Sequence, residues 1–158
     1  MHPDIVALSI ATRTDCLPDD VLKLLEKFNI KIGSHITKIG DVSDSNFNNF
    51  ENEIDVVNKK EFPTIDDVEN KMKEEINKAS QDLDSIGGII ETAIINLPVG
   101  LGDPLFDSLE SRISSSIFSI GGIKGIEFGL GFGFASIRGS KANDPFIVND
   151  DKIVTSTN

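Results

Sequence analysis

Three short stretches of this chain hold residues whose types and spacing could do chemistry. Arg138-Gly139-Ser140-Lys141 sets two cations and a hydroxyl around a flexible glycine. That set suits an anionic ligand, because charged donors make strong hydrogen bonds to phosphate and carboxylate oxygens. Exposed loop cations with no ligand satisfy the same pattern. Gly100-Leu101-Gly102-Asp103-Pro104 is glycine-rich and opens a helix, where free N–H groups could cradle a phosphate. It lacks the Lys-Ser/Thr of a nucleotide phosphate loop and the spacing of a dinucleotide fingerprint, so the residues alone favour a structural turn. Gly131-Phe132-Gly133-Phe134 places its rings on one side of a strand and leaves the other side bare. Bare strand faces mark the close approach of a ligand or another backbone, and a packed sheet edge reads the same way.

The remaining reactive residue types lack a chemical context. His35 sits in an apolar run with no second His and no Cys close by, and His2 is at the terminus. A lone histidine reads as structural or solvated. The single cysteine, Cys16, excludes an internal disulfide and a Cys-rich metal site, and fits a reducing cytoplasm. Ser114-Ser115-Ser116 shows no nucleophile-elbow pattern. No metal site is expected.

Elements must position these groups. The 158 residues are 39% hydrophobic and 26% charged, enough for one domain with a core. The net charge of -11 argues against nucleic acid and against an anionic membrane surface, both of which reward clustered cations. The start carries no signal-peptide pattern, and no run is long enough for a membrane span. Pro18, Asp19 and Asp20 open a helix over 18–28, with Val21, Leu24, Leu25 and Phe28 on one face. Residues 30–39 read as a strand with Ile32, Ser34 and Ile36 on one side. Residues 41–63, rich in Asp, Asn, Ser and Glu, read as a long loop. A capping box at Thr64 and Asp67 opens a helix over 65–83, striped by Val68, Met72, Ile76, Ala79 and Leu83. Residues 89–97 read as a strand largely covered on both faces. Asp103 and Pro104 cap a third helix through 119, with Phe106, Leu109, Ile113 and Ile117 buried. Residues 123–128 read as a strand, and 147–154 as a hairpin about 149–151. Both long helices are expected on one sheet. The class is α+β, a mixed sheet layered with helices.

In order along the chain, several of these segments resemble chorismate synthases. Leu25-Glu26-Lys27-Phe28-Asn29-Ile30-Lys31-Ile32 and Ile39-Gly40-Asp41 begin the match. Asp84-Ser85-Ile86-Gly87-Gly88 looks like the family's Asp-Ser-Ile-Gly-Gly segment. Leu97-Pro98-Val99-Gly100-Leu101-Gly102-Asp103-Pro104-Leu105-Phe106-Asp107 is the most specific stretch. Lys124-Gly125-Ile126-Glu127-Phe128-Gly129, Arg138-Gly139-Ser140 and Asn143-Asp144 complete it. The resemblance runs from about residue 22 to 158, within a single domain, and an ordered set of motifs is specific where one motif is not.

The resemblance implies part of that family's β-α-β sandwich and its reaction. The family removes phosphate and a proton from 5-enolpyruvylshikimate 3-phosphate to make chorismate, a step of the shikimate pathway to aromatic amino acids. It is an FMN-dependent carbon–oxygen lyase, linked to NADPH through reduction of the flavin, and is expected as a homo-oligomer, a tetramer in the family. Reduced FMN is the implied cofactor. The two positions after Arg-Gly-Ser contact the flavin in the family, and here they are Lys141 and Ala142. The implied flavin contacts are therefore Arg138, Ser140, Lys141, Ala142 and Asn143, and Gly131-Phe132-Gly133-Phe134 is a candidate flavin-facing or dimer-facing surface. No catalytic residue carries over, because the family's Gly-Glu-Ser-His-Gly and Arg-Pro-Gly-His motifs have no counterpart in this sequence. The arginines are Arg13, Arg112 and Arg138, too few to cage a trianionic substrate. The expectation is a fragment, a truncated paralogue or one piece of a split enzyme, inactive alone. A non-catalytic oligomerisation or interaction module derived from that fold stands beside it.

The cysteine and histidine inventory gives a first test. Chelator-treated protein should hold no stoichiometric zinc by elemental analysis, and one equivalent of retained zinc would refute the metal-free reading.

Overall fold

The computed structural model describes residues 23, 27–98, 100–103, 105–143, 145–149 and 152–155. Cys16, His2 and most of the helix expected over 18–28 lie outside them, although Lys23 and Lys27 are helical. The chain divides into two units, Met1–Ile123 and Lys124–Asn158.

The first unit is a three-stranded sheet layered with helices, of class α+β. Strand β1 (Lys31–Ile39) lies between β2 (Val42–Ser43) and β3 (Gly88–Ile95), and both pairings are antiparallel. Among the described residues β3 therefore pairs on one side only. Side chains alternate along β1, as a pleated strand requires. Gly33, His35, Thr37 and Ile39 point inward, and Ile32, Ser34 and Ile36 occupy the less covered face. The register shifts between Ile36 and Lys38, a bulge that brings Gly88 against the Lys38 carbonyl. A Cβ on Gly88 would sit 2.7 Å from that oxygen, so the close approach requires glycine.

Two helices cover the inner face of β1. Helix α1 (Phe50–Val57) occupies the stretch expected as a loop. The polar composition of 41–63 hides three anchors, because Phe47, Ile54 and Val57 are buried and form the core with Ala93. Burying side chains of this size contributes roughly 1.5–3 kcal/mol each, enough to order a short helix. The acidic residues serve the cap: Glu53 accepts hydrogen bonds from the amides of Asn48 and Asn49 at 2.7 and 2.9 Å. Ile54 descends directly onto Gly33.

Helix α2 (Glu69–Gln81) starts later than the capping pattern predicts. The Thr64 hydroxyl donates to the Asp66 carbonyl at 3.0 Å instead of capping a helix. Met72 is fully buried, but the far half of the stripe is not: Ile76 is exposed and Leu83 is 96% exposed. Leu83 has left-handed backbone, φ 57°, which ends the helical run and turns its side chain out. Strand β3 is likewise open at its start, where Ile89 and Ile90 are exposed. The expectation of a strand covered on both faces fails for that half. Ile36, Ile39, Ile76, Ala79, Leu83, Ile86 and their neighbours line an apolar groove of about 630 Å³.

The third expected helix is also shorter. Leu105 has φ 70°, a 3-10 turn spans Leu105–Asp107, and α3 runs Leu109–Phe118. Its cap is Ser108, which accepts from the Ser111 amide at 3.2 Å, in place of Asp103. Ile113 and Ile117 are buried as expected, whereas Phe106 is exposed. Helix α2 lies against β1, while among the described residues α3 makes its main contacts with the 3-10 turn before it rather than with the sheet expected to hold both helices.

Residues 123–128, where the first unit gives way to the second, form no strand. Gly131–Ser136 is a 3-10 helix, because positive φ at Gly129 and Gly131 coils the chain that alternation had suggested was extended. Phe132 is exposed. A short helix α4 (Gly139–Ala142) precedes the hairpin of β4 (Phe146–Asn149) and β5 (Lys152–Thr155), as the turn chemistry predicts.

Gly33 supplies a test of the core. An added Cβ would lie 2.9 Å from the Ile54 side chain and 3.1 Å from its Cα. Gly33→Ala should lower stability by about 1–3 kcal/mol in urea denaturation, the usual cost of overpacking. Gly87→Ala, with nothing within 4 Å of its Cβ, should change it far less. Equal effects would mean that α1 does not rest on β1 in this way.

Candidate functional site

The residues singled out by sequence fall in both units, and each unit holds its own constellation. In the second unit, Arg138 precedes helix α4 with extended backbone, φ -78° and ψ 146°. The amides of Lys141 and Ala142 both donate to the Arg138 carbonyl, at 2.8 and 3.2 Å. One tight turn therefore gathers Arg138, Ser140, Lys141, Ala142 and Asn143. All are exposed except Ala142, which is half-buried. The turn presents a guanidinium, an ammonium, a hydroxyl and a carboxamide to solvent. That donor set matches a phosphate, which accepts charge-assisted hydrogen bonds. Ala142 contributes backbone alone.

In the first unit, the glycine-rich loop before α3 folds as a turn. Gly100 and Gly102 have φ of 87° and 92°, and the Asp103 amide donates to the Asp107 carbonyl at 2.9 Å. A Cβ on Gly102 would lie 2.9 Å from the Leu109 nitrogen, so that glycine is required by packing of the chain on itself. The structural reading of this loop is the one the geometry supports.

The constellation that sequence reasoning missed surrounds His35. The ring is 0% exposed. Its Nδ1 lies 3.2 Å from Asp44 Oδ2 and its Nε2 lies 2.9 Å from Glu91 Oε2. Phe47 closes the site edge-on, with ring centroids 4.5 Å apart. Neither carboxylate serves the histidine alone. Asp44 also accepts from the amides of Ile65 and Asp66 at 2.6 and 2.8 Å, and Glu91 from the amide of Phe47 at 2.9 Å. Strands β1 and β3 and the loops at 44–47 and 65–66 are thus tied at one point. With both nitrogens engaged and no solvent access, the imidazole offers neither a free lone pair nor a path for substrate. It is a clamp. A sequence signal existed: His35 falls on the inward parity of β1, and Glu91 interrupts an apolar strand. Buried polar groups need partners, so two of them in facing strands point to each other.

Among the described residues no group of three or more His, Cys, Asp or Glu could hold a metal ion. Among them, too, no helix is long and apolar enough to cross a membrane.

A three-stranded antiparallel sheet backed by two helices, followed by a capped helix, defines an α+β chain of a kind already solved. A crystal structure of chorismate synthase superimposes with a TM-score of 0.69 at 31% identity, over 84% of this chain and 44% of that one. The family model described as Chorismate synthase matches residues 21–158. The chorismate synthase of Thermococcus gammatolerans is 41% identical over 136 residues, and that of Dehalococcoides mccartyi 51% over 83. These stretches cover 86% and 52% of this chain. This chain belongs to the chorismate synthase family. It spans about 37% of the length of the Thermococcus relative and 23% of the Dehalococcoides relative.

The clamp can be probed directly. His35→Ala leaves the Asp44 and Glu91 carboxylates without their shared hydrogen-bond partner, and removing the partner of a buried polar group costs about 1–3 kcal/mol. The urea midpoint should fall accordingly, and the Phe47, Ile65 and Asp66 amides should lose hydrogen-exchange protection. Unchanged protection at those three amides would show that the histidine does not hold the loops.

Proposed function

We propose that this chain is the central part of a chorismate synthase, a carbon–oxygen lyase of the shikimate pathway acting in the cytoplasm. The reaction releases phosphate and a proton from 5-enolpyruvylshikimate 3-phosphate. The observation that carries the reading is the family match over residues 21–158.

The turn at 138–143 fits the anionic end of FMN. Arg138 and Lys141 would neutralise a phosphate, the Ser140 hydroxyl and Asn143 amide would donate to it, and Ala142 would offer backbone. Reduced FMN, when bound, supplies electron density to the substrate while phosphate departs. What these residues do is bind and orient. With 15 Lys and Arg against 26 Asp and Glu, this chain has few cations for a trianionic substrate. Turnover in this reading depends on segments of the family fold beyond the part matched here, and on the family's oligomeric assembly.

A second reading is supported by one observation. The open apolar groove bordered by α2 and β3 is the kind of surface a non-catalytic interaction module presents.

Anaerobic phosphate release with reduced FMN distinguishes the two. The purified chain alone should neither retain FMN nor turn over, because a handful of contacts does not offset the ordering cost of binding a large anion. Supplying the remaining family segments should restore both. In that state Arg138→Ala should weaken flavin or substrate affinity by roughly tenfold, the cost of a lost charge-assisted contact, and more than Arg112→Ala does. Rapid turnover by the chain alone would sink the fragment reading, and equal loss from both arginines would remove the turn from the site.

A further inference from the structure

The hydrogen bonds around His35 fix a proton as well as a position. A neutral imidazole has one N–H donor and one lone pair, whereas an ionised carboxylate only accepts. Nδ1 faces Asp44 Oδ2 at 3.2 Å, and Nε2 faces Glu91 Oε2 at 2.9 Å. At one end a neutral ring would set its lone pair against an oxygen lone pair, and solvent does not reach the ring to intervene. Both contacts form together only when the cluster carries one proton more than a neutral imidazole and two carboxylates. An amide donates to each oxygen of Asp44 and to Glu91 Oε2, so the ring is the place for that proton.

The other titratable groups on the elements packed against β1 are engaged elsewhere. Glu53 accepts from the Asn48 and Asn49 amides, and Asp55 pairs with Lys31. Lys73 pairs with Glu69 and Lys78 with Glu75, while Asp66 accepts from the Ser45 hydroxyl and Lys60 donates to the Thr64 carbonyl. Glu51, Lys71 and Glu74 are exposed.

We propose that His35, Asp44 and Glu91 form a proton-dependent latch, which holds the segment at Phe47 on the sheet only while the ring is an imidazolium. The two sides of the latch are unequal. The Asp44 side chain is 0% exposed and that of Glu91 is 31% exposed. When the proton passes to solvent, the one remaining N–H stays with Asp44, which has no water to turn to. Glu91 turns outward instead and lets go of the Phe47 amide held by the same oxygen. The amides of Ile65 and Asp66, held by Asp44, stay docked. The latch is a property of the first unit and does not depend on turnover.

The test is nuclear magnetic resonance of the intact chain with nitrogen-15 histidine, His2 being assigned by His2→Gln. At neutral pH both ring nitrogens of His35 should carry protons. As pH rises, the hydrogen-exchange protection factor of the Phe47 amide should fall by about tenfold per pH unit, the slope of an opening that releases one proton. Those of Ile65 and Asp66 should hold over the same range. Glu91→Gln is the discriminating variant. Its carboxamide N–H can donate to a neutral Nε2 while its oxygen accepts from Phe47, so the ring should carry a single N–H and the Phe47 slope should vanish. The wild-type ring signals decide the matter even where that variant folds poorly. A bare ring nitrogen in the wild-type chain at neutral pH would overturn the latch. So would protection lost equally at Phe47, Ile65 and Asp66, or a wild-type slope in Glu91→Gln.

Discussion

An imidazole removed from water must find a partner for each of its two nitrogens, and His35 meets that demand with two carboxylates. Everything near the sheet's inner face follows from this. Asp44 has to sit where β2 ends, so the chain turns back immediately and the 65–66 loop docks through its amides. Glu91 has to face His35 across the ladder, which sets the register of β3 against β1. A slip of one residue would put Glu91 on the other face and leave Nε2 of the ring without its partner. The apolar contacts of Phe47, Ile54 and Val57 supply more burial, but they are non-directional and do not select a register.

Where local chemistry decides the structure, the sequence was readable. The strand at 31–39, the strand at 88–95 and the closing hairpin follow from alternation and turn residues. Met72, Ile113 and Ile117 follow from helical spacing. The failures share a cause. Helix α1 was hidden because its three anchors are diluted by acidic and amide residues that turn out to serve the cap. The helices at 69–81 and 109–118 start late because Thr64 and Asp103, good caps by type, are used in loops. The Gly-Phe alternation at 131–134 looked extended, yet two glycines with positive φ coil it. The His35 clamp joins residues 56 positions apart, and only the fold brings them together.

Among the described residues the helices cover the inner face of β1, and Leu83 turns outward where that coverage ends. Stability is concentrated where the clamp and the Gly33–Ile54 contact lie. The groove at the other end is left with side chains that water does not favour. The cationic turn at 138–143 belongs to the other unit and owes its geometry to its own carbonyl bonds, so the two can change independently. A substitution that weakens the clamp therefore acts through folding, and one in the exposed turn leaves the core contacts in place.

The single-sided pairing of β3 carries a further consequence. Among the described residues no strand pairs with its outer row of N–H and C=O groups, and such an edge with isoleucines beside it is a template for an extended peptide. A strand edge of this kind shifts the balance from folding toward aggregation as concentration rises.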